Sequence, residues 1–323
     1  MNRITELKSY LLNRFKVRDM GQASVILSIK ITRDRKNKKI SLDQEHYIKS
    51  LMKKYKISDV EAERITTPAS DAQSLLPKES NLQEAEGNVI KYQSLLGELN
   101  WLVRGTRPQN CFTTKCLAQS ACSPAERHVT AAMRLLKYSC NTKSQQLTFS
   151  LESTRKLLER PLPMGYSDSD FAGHPTRRST TGSLWMFAGS PITWASKLQR
   201  SVSTSTTEAE YLALMYNDKE AVWIAQLLYQ VGYTRRVECL SIFGDNKAAI
   251  ELTKNPFFHA KTKHIDVGAH YVRELVEDKR ITIDYINTKV QLADSLTKSL
   301  GKQQYLHFCH LMGITGTTSQ NKN

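Results

Sequence analysis

The most constraining feature of this sequence is the order of hydrophobic patterns after residue 160. Three strand-like segments follow one another at about 164–172, 181–188 and 191–197. A long helical pattern then runs from about Thr207 to Gln230. After it come a strand at 238–244, a short helix beyond Asp245, a helix near 263–277, a strand at 280–286 and a helix from Gln291. The order βββαβααβα combines antiparallel neighbours with α–β crossovers. It predicts an α/β domain built on a mixed sheet with flanking helices.

The first half reads differently. Val25, Leu27, Ile29 and Ile31 alternate within residues 24–32 and predict one strand. The basic segment from Asp34 to Lys39 predicts a hairpin turn into a strand at 39–42. Tyr47, Ile48, Leu51, Met52 and Tyr55 have helical spacing within a helix from Asp43 to Tyr55. Residues 66–88 are polar and contain Pro68 and Pro77, which predicts a linker or long loop. Helical patterns follow from about Val89 to Val103 and from about Cys111 to Ser139, broken by Thr106-Arg107-Pro108. No internal repeat is visible, and residues 314–323 read as a frayed tail.

Charge narrows the partners. The 323 residues carry 46 Lys+Arg against 31 Asp+Glu, a formal +15. Residues 1–60 alone hold 15 Lys/Arg and 6 Asp/Glu, a local +9. Such an excess makes a positive field that favours polyanions, although a solvated basic surface gives the same count. The six cysteines form no Cys-x-x-Cys pair, which argues against a zinc ribbon. The N-terminus lacks the apolar core of a signal peptide, and no apolar run is long enough to span a bilayer. These features predict an intracellular chain with reduced cysteines and no membrane partner.

The second half places acids where metal chemistry wants them. Asp168 lies in the first strand, in Tyr166-Ser167-Asp168-Ser169-Asp170. Glu208 and Glu210 open the long helix, Asp245 follows a strand, and Asp294 lies in the first turn of the last helix. Acids at strand ends and helix starts can converge on one point, and hard oxygen donors suit Mg²⁺ or Mn²⁺. Two such ions can activate a water and stabilise a leaving oxygen. Each acid also has an ordinary explanation. A strand-end Asp forms turns. Both Ser205-x-x-Glu208 and Thr207-x-x-Glu210 fit a capping box.

The segments GYSDSDFAG, RRSTTGSLWMFAGSPITWASKLQRSVSTSTTEAEYLAL, FGDNKAAIELTKNPFFHAKTKHID and QLADSLTK cover about residues 164–300. Together they resemble the RNase H domain of copia-type retrotransposon Pol polyproteins. FKVRDMGQASVILSIKITRD, KISLDQEHYIKSLMKKYKI, YQSLLGELNWLVRGTRPQ and ERHVTAAMRLLKY resemble, more loosely, the end of the reverse transcriptase palm and its thumb. TRPQN departs from the family's TRPD.

The resemblance implies an RNase H-like mixed five-stranded sheet with flanking helices, preceded by a partial reverse transcriptase palm and thumb. The implied boundaries are a palm remnant at 1–67, a linker at 68–88, a helical thumb or connection region at 89–160, the RNase H domain at 161–300, and a C-terminal helix and tail at 301–323. It implies metal-dependent hydrolysis of the RNA strand of RNA–DNA hybrids. Asp168, Glu210, Asp245 and Asp294 would be the catalytic and metal-holding acids, with two Mg²⁺ ions or Mn²⁺ as cofactors. Glu210 is preferred over Glu208 because Glu210-Tyr211-Leu212-Ala213-Leu214 matches the run after the family's catalytic Glu. Glu208 is then left to cap the helix.

The loop before Asp294 lacks the histidine of many cellular RNases H. His259, His264 and His270 read as helix packing or capping. Lys197, Lys247, Lys261 and Lys263 are candidate phosphate contacts, and Trp194 and Trp223 read as core residues. The expected partners are an RNA–DNA hybrid and other Pol segments. The expected location is a cytoplasmic virus-like particle or the nucleus. The sequence contains no Tyr-x-Asp-Asp hairpin, so polymerase activity is not expected of it. A non-catalytic nucleic-acid-binding remnant of a decayed or domesticated element is the alternative.

Overall fold

A computed structural model describes residues 2–77, 88–150, 161–254 and 263–316; side chains are described from residue 4 and, in the helix starting at 263, from residue 267. The first half opens with α1 (Asn2–Arg14), β1 (Val25–Ile26), β2 (Ile29–Asp34) and β3 (Lys39–Asp43). Helices α2 (Glu45–Tyr55), α3 (Asp59–Glu63), α4 (Val89–Gly105), α5 (Cys111–Ala118) and α6 (Glu126–Asn141) follow, and β4 (Gln146–Ser150) closes this part. The second half contains β5 (Met164–Asp170), β6 (Thr180–Phe187), β7 (Ser190–Leu198), α7 (Thr206–Gln230), β8 (Leu240–Gly244), α8 (Lys247–Lys254), α9 (Lys263–Glu277) and β9 (Ile281–Tyr285). It ends with 3-10 turns at Thr288–Val290 and Leu292–Leu296, then α10 (Lys302–Leu311) and β10 (Ile314–Thr315).

Two five-stranded sheets result. One has the order β1-β2-β3-β4-β10 and is antiparallel throughout. The other has the order β7-β6-β5-β8-β9. Its first three strands are antiparallel, while β8 runs parallel to β5 and β9 parallel to β8. Hairpins make the antiparallel part, and helical crossovers are required for the parallel part. This is the mixed sheet that the pattern of the second half predicts, with the five strands that the resemblance implies.

Four local expectations are corrected. The alternating run 24–32 is not one strand. Leu27 and Ser28 both take left-handed backbone, at φ 52° and 62°, and turn the chain between β1 and β2. Two consecutive positive φ values are the mark of a type I′ hairpin, here without the usual Asn-Gly signal. The helical run 111–139 is interrupted between α5 and α6, where Ser123-Pro124 disfavours continuation. The helix expected from Gln291 is two 3-10 turns. Part of the tail expected at 314–323 pairs as β10 with β4.

Three cores hold these layers. One gathers α2 to α6 around Ile48, Leu99, Leu117 and Leu135. A second fills the space between the mixed sheet and α7, α8 and α9, around Trp185, Leu214, Ile242 and Val272. The third lies on the opposite face of that sheet, where Leu184 and Met186 meet Leu292 and Leu296. Helix α10 touches two of them: Tyr305 and Cys309 belong to the first core, and Phe308 and Met312 to the third. Where the family has an Asp, Gln109 shares Gln145 Oε1 with the fully buried Arg107 guanidinium, at 3.1 and 3.2 Å.

Candidate metal centre

The sheet brings the acids together by register. Strand β5 is central and lies beside β8, so Asp168 on β5 sits near the end of β8, where Asp245 follows Gly244. The 3-10 turn carrying Asp294 closes over the same strand ends. It is tied down by the fully buried Gln291, whose Nε2 donates to the Ser167 carbonyl at 3.0 Å and the Phe243 carbonyl at 3.3 Å. Room for that turn comes from Gly182, the β6 residue paired with Asp168. A Cβ at Gly182 would lie 2.6 Å from Thr297 Cγ2 and 2.7 Å from the Ala293 carbonyl oxygen.

One carboxylate oxygen each from Asp168, Asp245 and Asp294 lies within 4.8 Å of the others. Glu210 lies beside this trio, near enough to Asp168 and Asp245 for their charges to act on it. Its Oε1 also accepts the Ser169 backbone N–H at 3.1 Å. Thr297 Oγ1 donates to Asp168 Oδ2 at 2.5 Å, and Thr288 Oγ1 donates to Asp245 Oδ2 at 2.8 Å. Lys298 Nζ stands 3.0 Å from Asp294 Oδ2. Asp294 Oδ1 is buried and makes no hydrogen bond among the described residues.

These carboxylates oppose one another's ionisation. Burial, followed by the charges of Asp168 and Asp245, holds Glu210 well above the ordinary carboxylate range. Burial and then Asp168 push Asp294 up, against the pull of Lys298. Asp245 is raised mainly by burial, which the Thr288 hydroxyl partly offsets. Burial works against the charge on Lys298, but Asp168 and Asp294 outweigh it and keep the ammonium above its usual value. Crowded acids with an unpartnered buried oxygen are the donor set a hard divalent cation satisfies, because the ion supplies the missing positive charge. The residues therefore fit Mg²⁺ or Mn²⁺.

The remaining candidates divide. Glu208 is half-buried and lies at the start of α7. Its carboxylate accepts from the Thr204 N–H and hydroxyl, both at 2.7 Å, and its own N–H donates to Ser205 Oγ. This is helix capping. Asp170 lies one alternation along β5, half-buried, with its carboxyl raised chiefly by burial. Lys197 is exposed on β7, its ammonium 4.3 Å from the Tyr216 ring centre. Lys247 opens α8 two residues after Asp245 and lies 4.8 Å from the Tyr285 ring centre. Lys261, His259 and the side chains of Lys263 and His264 fall outside the described residues. Trp194 is partly buried, whereas Trp223 is 57% exposed and so is not the core residue expected. Gln291, Thr297 and Lys298 escaped sequence reasoning, although all three lie in the same short segment as Asp294.

The sheet order and the carboxylate cluster together define an RNase H-like α/β protein with a candidate divalent-cation centre. Over 315 residues, 96% of its length, the chain is 34% identical to the retrovirus-related Pol polyprotein of transposon TNT 1-94 from Nicotiana tabacum. It is 31% identical over 307 residues to the corresponding polyprotein of transposon RE1 from Arabidopsis thaliana. The chain belongs to this copia-type retrotransposon Pol polyprotein family. It spans about a fifth of those polyproteins, 23% and 20% of their lengths. A shorter relative, secreted RxLR effector protein 161 of Plasmopara viticola, is 39% identical over 136 residues, which are 42% of this chain and 92% of that protein. No family model matches. Among solved structures, LC11-RNase H1 aligns with 43% of this chain and 94% of its own at 14% identity and a TM-score of 0.33. A foamy viral protease–reverse transcriptase aligns with 65% of this chain and 26% of its own, at 14% identity and a TM-score of 0.39.

Proposed function

We propose that this chain is a metal-dependent ribonuclease that hydrolyses the RNA strand of RNA–DNA hybrids. The observation that carries the reading is the convergence of Asp168, Asp245 and Asp294, with Glu210 beside them, from separate parts of the chain onto one end of the mixed sheet. These four would hold two Mg²⁺ or Mn²⁺ ions. Bound there, the ions would supply an activated water and charge stabilisation for the leaving oxygen of a phosphodiester.

The chain's own residues prepare that chemistry. Ser169 N–H and the Thr297 hydroxyl fix the orientations of Glu210 and Asp168. The Thr288 hydroxyl fixes Asp245, and Gln291 locks the turn that carries Asp294. Such fixed donors let carboxylates meet a cation with little reorganisation. Lys197 and Lys247 are exposed near the cluster and would take backbone phosphates as point charges. Selection of RNA would rest on its 2′-hydroxyls in the wide minor groove of the hybrid.

The test is cleavage of an end-labelled RNA–DNA hybrid by the purified chain with and without Mg²⁺. Cleavage confined to the RNA strand and dependent on the metal is expected. Asp168→Asn should remove most of the activity while leaving hybrid binding intact, because it deletes a ligand charge at almost constant volume. Undiminished cleavage in EDTA, or full activity in that variant, overturns the reading.

A further inference from the structure

Beside the carboxylate cluster lies a cavity of about 980 Å³ that the nuclease chemistry does not use. Its floor is β7, the edge strand of the mixed sheet. One wall is α7, presenting Tyr216, Glu220 and Trp223. The opposite wall is formed by α4 and α5, presenting Asn100, Arg104 and Lys115. The two halves of the chain thus enclose it jointly. Trp194 fixes them to each other by donating its indole N–H to the Val103 carbonyl at 3.0 Å.

Position and lining both carry information. Ser196 on the floor stands opposite Gly182, which stands opposite Asp168, so the floor lies two strand spacings from the cluster, about 10 Å. Tyr216 and Trp223 follow Glu210 by six and thirteen residues along α7, about 9 and 20 Å. The groove therefore starts near the candidate centre and leads away from it. Arg104, Lys115 and Lys197 line it against one carboxylate, Glu220. Lys197 packs over the Tyr216 ring, and Trp223 leaves 57% of its surface exposed in the wall.

A groove lined by Arg104, Lys115 and Lys197, with the exposed Trp223 ring in its wall, matches the needs of unpaired nucleotides. Phosphates take the cations, and a base stacks on an aromatic ring whatever its identity. A duplex cannot stack on such a ring along its length, because its own neighbouring pairs cover the bases. We propose that this groove binds a single strand of nucleic acid, the unpaired continuation of a hybrid whose duplex part lies over the carboxylate cluster. That continuation rests on the reading under Proposed function, whereas single-strand binding itself does not.

The experiment uses the full chain in Ca²⁺, which supports binding measurements without requiring turnover. Fluorescence anisotropy is recorded with three probes: an unpaired oligonucleotide, a blunt RNA–DNA hybrid, and the same hybrid with a single-stranded tail. The tailed hybrid is expected to bind about tenfold more tightly than the blunt one. Trp223→Ala and Arg104→Ala should remove most of that advantage while leaving blunt-hybrid affinity unchanged. Both residues are exposed, so these variants should keep the wild-type melting temperature. Equal affinity for tailed and blunt hybrids overturns the proposal, as does a tail effect untouched in both variants. Binding of the unpaired probe without binding of the blunt hybrid supports the groove and instead counts against the nuclease reading.

Discussion

At the scale of single residues, the most informative groups are buried charges with too few partners. Glu210 and Asp294 are pushed above their ordinary values, so the metal-free folded chain holds protons that the unfolded chain releases. Native-state proton excess makes stability fall as pH rises. For Asp294 the window runs from its ordinary 3.8 to about 7. Lys298 works against this loss by facing the ionised acids. Lys298→Gln should therefore lower the metal-free melting temperature more at pH 8 than at pH 5, where the acids are protonated. Thermal melts in EDTA across that range check it, and an equal loss at both pH values would refute the role. Asp218, in the middle of α7, gives a second case. It is fully buried, neither carboxylate oxygen makes a hydrogen bond among the described residues, and burial pushes it to about 7. Asp218→Asn should stabilise the chain above pH 7 by about 1–3 kcal/mol, the usual cost of an uncompensated polar group, and change little near pH 4. A melting temperature at pH 8 that is unchanged or lower would show that the charge is compensated. The acids were singled out in the sequence through the family resemblance rather than by any property of the single residues, and the structure brings Asp168, Asp245 and Asp294 within 4.8 Å of one another. Asp218 was not singled out, because nothing in a helical repeat shows that its side chain lacks a partner.

At the scale of elements, the candidate centre depends on a turn that sequence periodicity misread. The segment from Gln291 looks like the beginning of a helix, yet Gln291 side-chain bonds to two strands hold Leu292–Leu296 as a 3-10 turn. Those bonds join positions 48 and 124 residues away, which no local pattern reports. The same limit explains the β1–β2 hairpin, where the alternation is genuine but two left-handed residues reverse the chain. By contrast, β8 and β9 alternate in burial and α7 buries one helical face, so their periods were legible, although β6 is buried along almost its whole length. Gly182 makes the turn's approach possible. Gly182→Ala should push the turn off β6, costing about 1–3 kcal/mol as overpacking does. It should also move Asp294 away from Asp168. Paired measurements of melting temperature and Mn²⁺ affinity decide this, with both expected to fall. Wild-type values for both would mean that the backbone yields without disturbing the acids.

At the scale of the whole molecule, α10 joins the two halves of the chain, as the Trp194–Val103 bond also does. It follows the mixed-sheet domain in sequence but sends Tyr305 and Cys309 into the helical core and Phe308 and Met312 into the core beneath the sheet. Tyr305 also donates its hydroxyl to that of Tyr138 at 3.0 Å. A fragment beginning near residue 160 would strip Tyr305 and Cys309 of the core they pack into, so the charge of the first half is best tested in the intact chain. The β2–β3 hairpin is the place to do so. Arg33, Arg35, Lys36, Lys38 and Lys39 all lie on it, all are exposed, and Asp34 is the carboxylate among them. Asp34 is occupied locally, accepting from Asn37 N–H and Nδ2 at 3.0 and 2.6 Å, so it shapes the turn. If the hairpin grips a hybrid backbone, each phosphate it neutralises releases counterions. The log–log salt slope of binding then steepens by about 0.9 per contact on B-form DNA, and by a similar order on a hybrid. Replacing Arg35, Lys36 and Lys38 with Gln should make the slope shallower by about two to three on that scale. It should leave the stability within about 0.5 kcal/mol of wild type, as substitutions at exposed sites do. A salt titration of hybrid affinity for the intact chain and this variant reads the difference directly. Parallel lines would show that the hairpin faces solvent and that the chain's net +15 acts only as a diffuse field.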